Sequence, residues 1–343
     1  MKIKSLCLEW YCLHISSRGC LKNEEYFRTR GQSLCWSLPR AAWRRTNKKL
    51  AKFYNGIRYG HAQRSAIDAY RNDFDQLLRE NDPTFAGKPR NEIVDGWAID
   101  RSGNFPGIEE TLKEVDGLIE SRGGVDRRGT PLAQTDWVFH LNDMNELERF
   151  RGLLSFPTSS EVVATVANYM GLIPTFALDL PKAVRVFEST NQFNVASDYS
   201  KAQLYHLDIH DLPMVYVILL ARDCTPDNGP WCFLPKSTSE KAVEALRYQK
   251  RGEPYRITDE RIYEVVDPSE RIEFTGKKGD VLFIDSSKCF HYGSRDAVDP
   301  GYRVMYAFTT HCRSDFRLML HTQKFPIHSR DAKLKRLVLG EGF

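Results

Sequence analysis

The feature that most narrows what this chain can fold into is a change of texture after Gly171. From there "AVRVFES", "SKAQLYHLD", "MVYVILLA", "WCFLP", "DVLFID" and "RVMYAFTTH" follow one another as short β-branched and aromatic runs, separated by Asp, Asn, Gly and Pro. Such side chains pack well on a pleated surface, and short runs bounded by turn formers read as strands. The chain before Gly171 has a different period. Between Ala62 and Glu80 the apolar Ile67, Tyr70, Phe74, Leu77 and Leu78 return at helical spacing. A second helix is expected over about 108–122, with Ile108, Leu112, Val115 and Ile119 as its stripe and Gly123 and Gly124 as its stop, and a third over about 160–170. Helices first and strands afterwards give an α+β chain with the helices packed outside a sandwich or barrel.

Composition excludes several classes of function. With 343 residues, 41% hydrophobic and 12% aromatic, the chain can bury a large core. Its 49 Lys and Arg against 45 Asp and Glu leave a formal charge of +4, too small a bias to require a polyanionic partner. "RRTNKKLAK" puts Arg44, Lys48 and Lys52 on one helical face, but without interleaved aromatics it reads as a solvated helix, so no nucleic-acid partner is expected. The eight cysteines form no Cys-x-x-Cys pair and no dense framework, which favours free thiols in a reducing compartment. The apolar run near Lys2 and Lys4 is broken by Glu9 and His14, so neither a membrane span nor a signal peptide is expected. A cytoplasmic, soluble protein is the reading; the oligomeric state is not legible.

The chemistry concentrates in "QLYHLDIHD", Gln203 to Asp211, which gathers two of the chain's nine histidines. On an extended strand Ala202, Leu204, His206, Asp208 and His210 share one face, and Gln203, Tyr205, Leu207 and Ile209 the other. His206 and His210 would lie ~13 Å apart along a straight strand, too far to share one ion, whereas His206 and Asp208 can converge where the strand ends. His210 and Asp211 read as turn residues or outer supports. A metal held by His206 and Asp208 needs a third ligand, and His291, 85 residues later and just after the strand "DVLFID", is the candidate. Arg303, opening the next strand, could make a bidentate pair with a ligand carboxylate. Plainer readings stand beside these: a polar strand end for His206 and Asp208, a core histidine for His291, and a surface salt bridge from Arg303 to Asp296 or Asp299.

Taken in order, "QLYHLDIHD", "NGPWCFLPKS", "GDVLFIDSSKCFHYGS" and Arg303 resemble the phytanoyl-CoA dioxygenase-like branch of the Fe(II)/2-oxoglutarate oxygenases, over roughly residues 155–315. The resemblance implies a double-stranded β-helix, or jelly-roll, flanked by N-terminal helices. It implies His206, Asp208 and His291 as metal ligands and catalytic residues, and Arg303, with Gln203 and Ser294, as cosubstrate-binding residues. Fe(II), 2-oxoglutarate and O2 are the implied cofactors, and a small organic molecule, hydroxylated with release of succinate and CO2, is the implied substrate. Asp208 sets the chain apart from the halogenating branch, where a small residue leaves room for halide. A non-redox, cupin-like metalloprotein and a non-catalytic β-sandwich binding protein are the alternatives, and Arg303 separates them, since zinc hydrolysis needs no carboxylate anchor.

The expected organisation is a basic N-terminal segment over 1–60 and a single catalytic domain over 61–343. That domain divides into helical support over 61–170, a jelly-roll core over about 171–315 and a C-terminal extension over 316–343. The charged stretch 236–278 reads as an insertion without a barrel strand. It carries a helix with Ser237 and Glu240 at capping-box spacing. We expect this insertion to form a lid or pocket wall, with Arg247, Lys250, Arg251 and Arg256 as possible substrate contacts. The chain departs from the resemblance at Tyr205, where a Trp often precedes the first histidine, and at Lys236 and Thr238 in the usual Pro-Gly-Ser-His turn. Trp231 is either core or substrate wall.

Overall fold

The computed structural model describes residues 40–122, 138–143, 146–176, 183–189, 199, 201–249, 254–311 and 325–341. Its centre is an antiparallel sheet in which Met214–Leu220 and Gly301–Thr309 lie side by side. Both are buried along their length, as expected for near-continuous apolar runs covered on two faces. Numbered in chain order, the strands are β1 (Trp97–Asp100), β2 (Val138–His140), β3 (Thr175–Phe176), β4 (Val184–Ser189), β5 (Met214–Leu220), β6 (Trp231–Phe233), β7 (Ile272–Phe274), β8 (Val281–Asp285), β9 (His291–Tyr292) and β10 (Gly301–Thr309). The large sheet runs β1-β8-β5-β10-β4-β2, with β3 also on β10, and a small sheet runs β7-β6-β9. Trp231 of the small sheet meets Tyr216 of the large one edge-on, with ring centroids 6.0 Å apart, so the two sheets face each other. This is the jelly-roll sandwich of an α+β protein.

Most of the helices pack in the apolar cluster of the large sheet, while Lys236–Ala245 and Asp259–Ile262 pack in a smaller one with Tyr205, Cys232 and Phe290. The helices are α1 (Arg40–Asn72), α2 (Phe74–Asn81), α3 (Ile108–Arg122), α4 (Ser160–Met170), α5 (Lys236–Ala245), α6 (Asp259–Ile262) and α7 (Lys333–Val338). Helix α4 starts on Ser159, whose side chain accepts from the Val162 N–H, and stops at Gly171 in the left-handed region. It is packed into the same apolar cluster as Phe156, Val186, Phe283 and Tyr306, which extends to Leu334 and Val338 of α7. The C-terminal extension is thus part of the core. Among the described residues no helix is long and apolar enough to cross a membrane. Cys224, Cys232 and Cys289 are buried free thiols; the other five cysteines lie outside the described residues.

Four expectations change. The helix over 62–80 is two helices, α1 and α2, which meet at Asp73. Strands β1 and β2 lie inside the stretch expected to be purely helical, and each joins an edge of the large sheet. The 236–278 insertion does contain a strand, β7, which pairs with β6. Its helix α5 is not capped by Ser237: the helix begins after Pro235, and the Ser237 N–H and hydroxyl go instead to the Asp95 carboxylate at 2.8 and 2.7 Å. A long-range acceptor has taken the hydroxyl that a local cap would use. Residues Arg44 and Lys48 fall within α1 and Lys52 does too, but the side chains up to Lys52 lie outside the described residues.

One ion pair fixes the end of α3 to the approach to the β2 edge. Arg122 donates to both carboxylate oxygens of Glu146, at 2.7 and 2.8 Å, and to the Leu141 carbonyl at 2.8 Å. The Arg122 hydrogen bonds hold the Glu146 carboxyl down to about 2. A carboxyl depressed on folding contributes stability that is complete above its unfolded value and fades as the pH falls through its folded value. Glu146→Gln should therefore cost about 0.5–1.5 kcal/mol at pH 7, discounted for the pair's partial exposure. The difference from wild type should shrink between pH ~4.5 and ~2, as urea unfolding at neutral and acid pH would show.

Candidate metal centre

His206 and His291 meet through the backbone. Each donates its N–H to the other's carbonyl at 3.1 Å, the reciprocal exchange of an antiparallel hydrogen-bonded pair, whose side chains project to one side. His291 sits on β9, and the His206 segment extends the small sheet beyond it. The stretch 200–208 is not the regular strand expected from its alternation. Lys201–Gln203 is a short 3₁₀ turn, after which Tyr205 bridges to Ile257 and His206 to His291. The segment must serve two partners and cannot keep one ladder. The alternation nevertheless survives: Ala202, His206, Asp208 and His210 line one cavity, while Tyr205 and Leu207 face a separate apolar cluster.

The imidazole rings lie 4.4 Å apart, and one side-chain ligand atom from each of His206, Asp208 and His291 can be chosen so that all lie within 4.8 Å of one another. His206 Nδ1 is 2.8 Å from the Leu204 carbonyl and His291 Nδ1 is 2.9 Å from the Cys289 carbonyl. A carbonyl only accepts, so both rings carry their proton on Nδ1 and leave the Nε2 lone pair for a metal. Burial pushes His206 down to about 3 and lowers His291 as well, which keeps both rings neutral, the ligating form. Burial alone would raise the Asp208 carboxyl, and its interactions with the His291, His206 and His210 side chains and the Ser286 hydroxyl lower it.

Asp208 Oδ2 is shielded from solvent and has no hydrogen-bond partner among the described residues; His291 Nε2 lies 3.6 Å away. A shielded carboxylate oxygen without a donor is costly in a folded protein. Two neutral Nε2 atoms and one carboxylate oxygen are the donor set of a divalent first-row metal site with positions left open. The residues fit such an ion. Trp231 supports the arrangement from one side, its ring stacked on His291 at 4.8 Å and 15°. It is both core, at 7% exposure, and cavity wall.

The triad opens into a cavity of about 410 Å³ whose lining includes Arg303, Ser294, Tyr216, Arg185 and Arg256. Arg303 is 2% exposed and has no carboxylate partner among the described residues, so the salt bridge to Asp296 or Asp299 is not formed. Its Nη2 donates to Ser189 Oγ at 2.9 Å, Ser294 Oγ at 2.7 Å and the Gly229 carbonyl. Gly229 belongs to the "NGP" turn, in the left-handed region with φ 60°, and a Cβ there would lie 3.0 Å from both Ala297 Cβ and the Arg295 carbonyl. Burial lowers the Arg303 guanidinium, which still remains charged at neutral pH. Ser294 lines the cavity. Gln203 does not; its amide braces the Ser294 carbonyl at 3.0 Å from behind.

Asp211 supports a turn, accepting from Thr310 and Leu212, while His210 reaches the cavity. Thr238, in the place of the expected turn histidine, bonds Glu270 instead. The insertion is tied to the ligand segment: Tyr255 donates to the Leu207 carbonyl at 2.6 Å, and Tyr248 Oη accepts from the Leu207 N–H at 3.1 Å. Of its basic residues Arg256 lines the cavity, Arg247 does not, and Lys250 and Arg251 lie outside the described residues. The sequence reading missed Arg185. Its signal was present as the one basic residue within the run "AVRVFES", on the same face as Phe187 and Ser189.

No family model matches the chain, and no curated protein matches it in sequence. Among solved structures it is similar to the epimerase SnoN in complex with Fe3+, alpha ketoglutarate and nogalamycin RO, at 14% identity and a TM-score of 0.40 over 73% of this chain and 84% of that one. It is also similar to EctD from S. alaskensis with 2-oxoglutarate and 5-hydroxyectoine, at 12% identity and a TM-score of 0.39 over 63% and 72%. A third is HygX from Streptomyces hygroscopicus with nickel and 2-oxoglutarate bound, at 14% identity and a TM-score of 0.37 over 62% and 82%.

The orphaned Asp208 carboxylate generates a prediction for the metal-free and metal-loaded protein together. Asp208→Ala removes the only anionic ligand, so Co(II) affinity should fall by at least about a hundredfold, more than the loss of an outer partner costs. Stability of the metal-free protein should change by less than about 1 kcal/mol, because the lost hydrogen bond to Ser286 is offset by removal of a shielded carboxylate oxygen that has no donor. Calorimetric titration with Co(II) and thermal unfolding of the metal-free protein check the two halves.

Proposed function

We propose that the protein is an Fe(II)- and 2-oxoglutarate-dependent oxygenase, probed most sharply by one observation: a His-Asp-His donor set and a buried, carboxylate-free arginine share one cavity. His206, Asp208 and His291 would hold the Fe(II). Bound there with 2-oxoglutarate, the metal supplies the activation of dioxygen, with 2-oxoglutarate oxidised to succinate and CO2 and the second oxygen atom inserted into a small organic substrate.

The chain's own residues bind, orient and shield. Arg303 receives the distal carboxylate of 2-oxoglutarate, and Ser294 and Ser189 hold the guanidinium in place for it. Gln203 acts one step back, fixing the Ser294 backbone. Trp231 keeps the His291 ring in its plane and, with Tyr216, dries the wall beside it. The phytanoyl-CoA dioxygenase-like branch and hydroxylation as the outcome belong to this proposal, as does one catalytic domain spanning 61–343. A hydrolytic zinc centre has no use for a desolvated cation such as Arg303.

Purified protein with Fe(II) and ascorbate should release succinate from 2-oxoglutarate even without its substrate. Arg303→Ala should weaken 2-oxoglutarate binding by ~2–5 kcal/mol, the usual cost of truncating one side of a desolvated arginine-carboxylate pair. An unaltered affinity, measured by calorimetry, would reject this role for Arg303.

A further inference from the structure

The cavity holds more positive charge than the proposed reaction uses. Among the described residues its charged lining is Arg185, Arg256 and Arg303 against the one carboxylate of Asp208. A divalent metal and a 2-oxoglutarate dianion cancel each other, and Asp208 offsets one guanidinium, so Arg185 and Arg303 together still leave one positive charge among the described lining residues after both are bound. In a low-dielectric cavity that surplus is unfavourable until an anion balances it.

Arg185 shows where the anion goes. It stands on β4, paired with Met305 of β10 and two rungs beyond the Phe187–Arg303 pair, so the two arginines occupy different rungs of the cavity wall. Its guanidinium lies over the Tyr216 ring at 5.2 Å, and Tyr216 in turn meets Trp231. Arg185 Nε and Nη2 are both shielded from solvent, and neither has a hydrogen-bond partner among the described residues. These two atoms form the side-on edge of the guanidinium, the fork that binds two oxygens of one oxyanion in parallel. The Trp231 indole N–H, on the same wall, is likewise shielded and without an acceptor among the described residues. Its place over the Tyr216 ring restricts the guanidinium, so less side-chain freedom is lost when the fork is filled.

We propose that the substrate is a small molecule bearing a carboxylate or similar two-oxygen anion, and that Arg185 binds this group side-on at a subsite separate from the one Arg303 offers. This rests on the proposed function and specifies the substrate class for that site. Phe187, Tyr216 and Trp231 leave an aromatic or apolar body as the natural remainder of such a substrate.

The test is a calorimetric titration of the full-length protein, loaded with Fe(II) and 2-oxoglutarate in the absence of O2, with phenylacetate, phenyl phosphate and the neutral phenylacetamide. At least one of the two anions should bind about tenfold or more tightly than phenylacetamide. Arg185→Gln should erase that preference, Arg185→Lys should keep part of it, and 2-oxoglutarate affinity of Arg185→Gln should stay within about threefold of wild type. Arg303→Gln should show the opposite pattern. Equal binding of anions and amide by wild type, no binding of any of the three, or a loss of 2-oxoglutarate affinity in Arg185→Gln matching that in Arg303→Gln would each overturn the proposal. The wild-type comparison stands even if a variant does not fold. Should 2-oxoglutarate not bind wild type, the oxygenase reading fails, and the same anion titration on the metal-free protein still reports on Arg185 alone.

Discussion

Two backbone hydrogen bonds between His206 and His291 close the site, and the rest of its geometry follows from them. They join residues 85 positions apart at the edge of the small sheet and set both imidazoles on one side. The carbonyls of Leu204 and Cys289, each two residues before its histidine, then orient both rings in the same way. Asp208 follows His206 by two residues, and its own N–H is held by the Ser286 carbonyl at 2.9 Å at the end of β8. Three ligand atoms are therefore placed by main-chain pairing rather than by flexible side chains, the kind of support that holds a site to its working geometry.

The large sheet contributes the other half of the site, and it does so against the usual logic of a core. β4, β5 and β10 are buried on both faces, yet Arg303 and Arg185 point from them into the interior between the sheets. A guanidinium that is desolvated without a carboxylate partner destabilises the fold by several kcal/mol. The continuous apolar cluster, which runs from Phe74 of α2 through both sheets to Val338 of α7, is large enough to carry that burden. Phe187, Tyr216, Trp231 and Met305 belong both to this cluster and to the cavity lining, so the core continues up to the site.

Much of this was legible in the sequence, for identifiable reasons. Helix α4 matched its expected span because its cap, stripe and Gly171 stop are all local. The strands β5, β8 and β10 were legible because runs such as "MVYVILL" admit little else. The triad was legible from alternation plus order, even though the 200–208 segment is broken between two bridging partners. What the sequence hid was non-local. Strands β1 and β2 are short edge strands whose identity comes from the sheet they join, and Ser237 has its capping spacing overridden by Asp95, 142 residues away. Arg185 escaped because a lone arginine in a strand usually faces solvent, and only the fold reveals that this face is the interior.

The central claim is that main-chain pairing builds a three-ligand metal site whose donors are two Nε2 atoms and one carboxylate oxygen. The most direct measurement is a crystal structure with Co(II) bound, located by its anomalous scattering. One ion should lie about 2.0–2.2 Å from His206 Nε2, His291 Nε2 and one Asp208 carboxylate oxygen, with its remaining positions open to the cavity that Arg303 lines. An ion bound elsewhere, or held through Nδ1 of either histidine, would contradict the account.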